Sequence, residues 1–131
     1  MRTNVEGIWA AGDVAEHRGL TYGLWTVARE QGQVAGLDMA GQPTDYTGSI
    51  PSSLLKITGI NVFSMGDVKA LGPSLEALDE TSYKKLVTHD GKPVSAMVVG
   101  DKAAIGTAQK IMGGRAPTDD FRKHTEAEDE E

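Results

Sequence analysis

The sequence predicts an α+β fold: a small antiparallel β-sheet with one C-terminal helix, preceded by a separate strand–helix pair. Three observations carry this expectation. Asp90-Gly91 stands between two β-like runs, Tyr83 to His89 and Pro93 to Val99, and Asp-Gly between alternating apolar runs is the strongest short-range hairpin signal. Asp101 stands where a helix cap belongs, ahead of Lys102 to Met112, and Gly113-Gly114 follows where such a helix stops. Upstream, a short apolar run closed by Gly12-Asp13 precedes a long stretch of helical spacing.

The elements follow in order. Gly7 to Gly12 reads as a short buried strand of the parallel kind, apolar without alternation. Tyr22 to Ala40 has helical spacing, with Leu24, Val27, Ala28, Val34, Ala35 and Leu37 able to share an apolar face, and Gly41 and Pro43 beyond its end. Gly32 and Gly36 lie within it. Each costs about 1 kcal/mol against alanine, so close approach of another backbone is expected there. Residues 43–53, rich in Pro, Thr, Asp, Gly and Ser, read as a linker. Leu54 to Thr58 and Asn61 to Met65 are two short strands split by Gly59, and the hairpin and capped helix complete a small α+β domain over residues 54–114.

Composition narrows the function classes. The 131 residues include no cysteine, which excludes a disulfide framework, a zinc-thiolate site or an iron–sulfur cluster built from these residues. No apolar run is long enough to span a bilayer, so no membrane partner and a cytoplasmic location are expected. The formal charge is −6, and residues 115–131 carry seven acids and three bases. An acidic balance does not neutralise phosphates, so nucleic acid is not an expected partner. Phe121 is the sole large apolar residue of that last segment, which reads as a disordered acidic tail.

The stretch from Thr3 to Asp13 is the most informative. A strand that ends in Gly12-Asp13 delivers a bare backbone and a carboxylate to a sheet edge, where ligands of open α/β sheets bind. The helix that follows points unpaired N–H groups at electron-rich atoms. Together they suit a polyhydroxylated, partly anionic cofactor. The stretch resembles the second flavin-binding motif of the flavoprotein reductases with two dinucleotide-binding domains, met here by Thr3, Ile8, Trp9, Ala10, Gly12 and Asp13. Leu24 to Gly32 looks like the next helix in the branch that contains rubredoxin reductases and NADH-dependent nitrite reductases. Leu55 to Asp67, Tyr83 to Val87 and Val98 to Asp101 resemble the small C-terminal domain of that branch.

The resemblance implies that residues 1–42 are the last strand and helix of a Rossmann-like FAD-binding domain, with Gly12 and Asp13 on the FAD ribityl chain and Trp25 on the flavin side. It implies an intact enzyme in which NAD(P)H reduces FAD and FAD reduces rubredoxin, a ferredoxin or a small oxidant. Gly-x-Gly-x-x-Gly occurs nowhere in the chain. A C-terminal piece of a longer oxidoreductase is therefore expected. It would be inactive and without FAD by itself, with the remainder of the reductase as its partner and a homodimer as a further possibility. A non-enzymatic interaction or dimerisation module is the alternative.

Plainer roles stand beside these. Asp13 also reads as a turn cap, and Trp9 and Trp25 as core residues. Asp67 and Asp101 read as turn and helix caps, and Met65, Met97 and Met112 as core filler. His17, His89 and His124 lack metal-ligand spacing. Ser53 to Lys56 matches Ser-x-x-Lys without its partner motifs and is taken as chance.

Overall fold

A computed structural model describes residues 1–126, which form two compact units, Met1–Pro51 and the part from Ser52 onward. The first unit holds one helix, α1 (Trp25–Met39), and a 3-10 turn at Gly12–Val14. The expected strand before that turn does not form. Residues 7–12 make a single bridge, Arg2 to Trp9, because no neighbouring strand within this unit pairs with them. Ile8 is 52% exposed. Helix α1 begins three residues later than the spacing predicts, since Leu24 is still extended at its N-cap. Its buried stripe is Val27, Gln31, Ala35 and Asp38, half of it polar. Gly32 and Gly36 are exposed, and a Cβ at either would meet nothing within 4 Å. The close backbone approach expected there is not made among the described residues.

The second unit is a five-stranded antiparallel sheet in the order β1-β2-β5-β4-β3, followed by a helix. Its strands are β1 (Ser52–Ile57), β2 (Ile60–Gly66), β3 (Ser74–Leu78), β4 (Tyr83–His89) and β5 (Lys92–Val99). Asp90 and Gly91 close the β4–β5 hairpin with φ of 50° and 73°, the left-handed pair that a type I′ turn needs. Helix α2 (Lys102–Met112) starts at Asp101, whose carboxylate accepts the Ala104 N–H at 2.9 Å. The α+β class, antiparallel sheet and C-terminal helix are those the sequence predicts.

Strand register explains the core. Leu54, Phe63, Val98 and Lys84 form one cross-strand row, and Met65, Ala96, Leu86 and Leu75 the next on the same face. Helix α2 lays Ala104, Ile105, Ala108, Ile111 and Met112 over Phe63, Leu86, Ala96 and Val98. The sequence reading missed β3, which is held to β4 by the Glu76–Lys85 ion pair at 3.0 Å and by Tyr83 donating to Glu76 at 2.9 Å.

The expected tail needs correction. Thr118–His124 forms a 3-10 helix, and Phe121 is fully buried in the core beneath it. One large aromatic ring removed from water can hold a short polar segment down. Residues 127–131, where most of the expected tail's acids lie, fall outside the described residues.

Candidate functional site

Gly12, Asp13 and Trp25 all lie in the first unit, where the chain turns into α1. Thr3 shapes the approach. Its N–H donates to the Ile8 carbonyl at 2.9 Å, and its hydroxyl accepts the Val5 N–H at 3.1 Å. The chain then reaches Gly12, whose φ of +79° favours glycine. A Cβ there would sit 3.3 Å from the Cβ of Ala28 on α1. The Ala15 N–H donates to the Gly12 carbonyl at 2.9 Å and closes the turn. Asp13 and Val14 at its tip are exposed.

The helix start is open to a ligand. Its N-cap is Leu24, no side chain among the described residues bonds the first N–H groups, and no acid stands in the first turn. Those donors and the positive end of the helix dipole favour electron-rich atoms. Trp25 is 75% exposed, with the Arg29 guanidinium 5.9 Å from its ring centre. It is a surface residue here, not a core one. The exposed Asp13 carboxylate can accept hydrogen bonds from hydroxyls, and the uncapped helix start can donate to electron-rich atoms.

Several polar residues of the first unit were not legible beforehand. Gln31, 1% exposed, accepts the Gly12 N–H on Oε1 at 2.8 Å. Asp38 accepts Arg2 Nε at 2.6 Å, Arg2 Nη2 at 2.9 Å and the indole N–H of Trp9 at 2.7 Å. The hydrogen bonds from Arg2, then from Trp9, hold its carboxyl down to about 2. Trp9 is thus half-buried and polar in its contacts. An open cleft of about 410 Å³ lies beside the turn, lined in part by Val14, Ala15, His17 and Tyr46.

In the second unit Asp101 caps α2, and Asp67 accepts the Lys69 N–H at 3.0 Å in a turn. Both are the local caps the sequence suggests. Ser53 and Lys56, an odd number of positions apart on β1, point to opposite faces. They cannot act together. His124 meets the Thr107 hydroxyl at 2.9 Å and lies 3.8 Å from Asp101. Burial, more than any charge, pushes its pKa below the ordinary value of 6.5. Among the described residues no group of three or more His, Cys, Asp or Glu could hold a metal ion.

Comparison with known proteins bears on both units. Residues 51–115 match the model of the rubredoxin NAD+ reductase C-terminal domain. The second unit is such a domain. The chain is 38% identical over 112 residues to the NADH-rubredoxin oxidoreductase of Clostridium acetobutylicum, covering 84% of this chain and 29% of that protein. The crystal structure of NADH:rubredoxin oxidoreductase from the same organism superposes with a TM-score of 0.70 at 34% identity, over 91% of this chain and 32% of that one. The nitrite reductase [NAD(P)H] of Bacillus subtilis is 38% identical over 108 residues, 79% of this chain and 13% of that protein. The chain thus spans less than a third of each of these relatives, and it is similar to the C-terminal part of the pyridine nucleotide-disulfide oxidoreductases. The rubredoxin NAD+ reductase C-terminal domain follows a first unit that carries Gly12, Asp13 and Trp25.

Proposed function

We propose that the chain is the C-terminal part of an FAD-dependent NAD(P)H oxidoreductase, in which residues 1–42 complete the flavin site. Asp13 accepts hydrogen bonds from ribityl hydroxyls, Gly12 lets the backbone approach them, and the start of α1 with Trp25 faces the flavin. When bound, FAD supplies hydride acceptance from the nicotinamide and onward electron transfer. The chain's own residues bind and orient it. The rubredoxin NAD+ reductase C-terminal domain forms part of an acceptor-docking or subunit contact, with rubredoxin, a ferredoxin or a small oxidant as the acceptor. The protein acts in the cytoplasm. By itself the chain neither holds FAD nor transfers hydride.

The observation that carries this reading is an exposed Asp13, on a glycine turn packed against a helix whose first N–H groups are uncapped. Exposed apolar side chains support it. Val14 is 83% exposed, Val5 52% and Leu20 57%, apolar surface that the remainder of a longer reductase would cover. The test is FAD content in the flavin-loaded protein that contains this chain. Asp13→Ala lowers the flavin retained after gel filtration, and unchanged content refutes the ribityl contact. A stoichiometric flavin band on the 131-residue chain mixed with FAD would show instead that these residues hold a complete site.

A further inference from the structure

We infer that Gln31 is a positioning residue for the flavin-side turn: its side-chain carbonyl holds the Gly12 N–H and thereby sets the direction in which Asp13 leaves the fold. This rests on the flavin reading above. On the buried stripe of α1, position 31 lies between Val27 and Ala35, where an apolar side chain is the ordinary choice. Burying a primary amide is unfavourable unless its groups are bonded. Here only one half is engaged. Oε1 accepts the Gly12 N–H at 2.8 Å, while Nε2 is buried and has no partner among the described residues. Asp38, the other buried polar residue on α1, is instead met by both Arg2 and Trp9.

What Gln31 secures is therefore a single bond across the unit, to the residue where the chain reverses. With its N–H held, Gly12 is not a donor to the cofactor. It contributes its bare Cα, and the next residue, Asp13, presents the polar contact. Gly12 has a φ of +79°, and a Cβ there would lie 3.3 Å from the Ala28 Cβ, so the turn sits close against α1; the Gln31 bond holds it in that arrangement.

Amide hydrogen exchange on the 131-residue chain tests the geometry without any flavin. Gln31→Met fills the space without accepting, and Gln31→Asn keeps the amide but lacks the reach. Each raises Gly12 exchange at least tenfold relative to the Val34 and Ala35 amides of α1, and Gln31→Glu, which can still accept, restores the ratio. An unchanged ratio in both Met and Asn variants overturns the inference, and taking the ratio corrects for general loosening of α1. In the flavin-loaded protein Gln31→Met weakens FAD retention and shifts the flavin visible spectrum, with Gln31→Glu again the rescue. If Asp13→Ala loses flavin and Gln31→Met does not, the positioning role is wrong and the flavin reading stands. If both retain it, the flavin reading falls and the inference with it.

Discussion

Replacing Phe121 by alanine tests how the last described segment is held. The ring is fully buried among α2 and sheet residues that include Ile105, Ile111 and Leu86. Phe-to-Ala changes in cores cost about 3–5 kcal/mol, from lost transfer energy and the cavity left behind. Domains hold about 0.05–0.15 kcal/mol per residue, so a second unit of roughly 75 described residues has about 4–11 kcal/mol in all. The loss takes about a quarter of this or more. Each kcal/mol moves the midpoint of a domain this size by about 4–8 °C, which predicts a fall of about 12 °C or more. Thermal and urea unfolding followed by far-ultraviolet circular dichroism measure it. Arg122→Ala is the control, since it removes only the exposed pairs with Asp119 and Glu126, and it leaves the midpoint nearly unchanged. A Phe121→Ala midpoint within about 3 °C of the parent, less than 1 kcal/mol on that scale, would refute the packing and restore the reading of a mobile tail.

Further predictions concern charge and backbone. His124 is favoured neutral in the fold, so its stabilisation is full above pH 6.5 and is lost as pH falls through its lowered folded value. Urea midpoints between pH 7.5 and 5 decline accordingly, and His124→Gln flattens that limb; a midpoint that rises on acidification contradicts it. Asp38 titrates lower down, its contribution present above pH 3.8 and lost toward about 2. Arg2→Met moves its carboxyl back up toward 3.8, read by NMR titration, and an unmoved value would show that Arg2 does not hold it. Gly66→Ala places a Cβ 2.2 Å from the Val94 carbonyl oxygen at a φ of +85°. The conformation alone costs about 1–3 kcal/mol, so the variant loses at least that in urea unfolding, and a neutral result rules the contact out.

The parts of the fold that were legible in the sequence are those with local chemistry. Asp90-Gly91 can only turn one way, and Asp101 with Gly113-Gly114 marks both ends of α2. Strand β3 was illegible because Ser-Leu-Glu-Ala-Leu holds no β-branched or aromatic residue, and its conformation comes from pairing with β4. Phe121 was hidden because composition averages one buried ring over many charges. The run into Gly12 has the pattern of a parallel strand, but a strand needs neighbours, and Trp9 pairs with Arg2 alone. In the candidate site, Gly12, Asp13 and Trp25 were singled out by the resemblance of residues 3–32 to a flavin-binding motif and its following helix. Gln31 was not, because helical periodicity places it on the buried face without saying that its side chain reaches back nineteen positions to Gly12.

The measurement closest to the centre of the proposed function is a crystal structure of the flavin-loaded protein that contains this chain. It should find the Asp13 carboxylate about 2.5–3.0 Å from ribityl hydroxyls, the usual distance for such bonds, with the start of α1 facing the flavin ring. A flavin bound elsewhere, or an Asp13 still facing solvent with FAD in place, would contradict it.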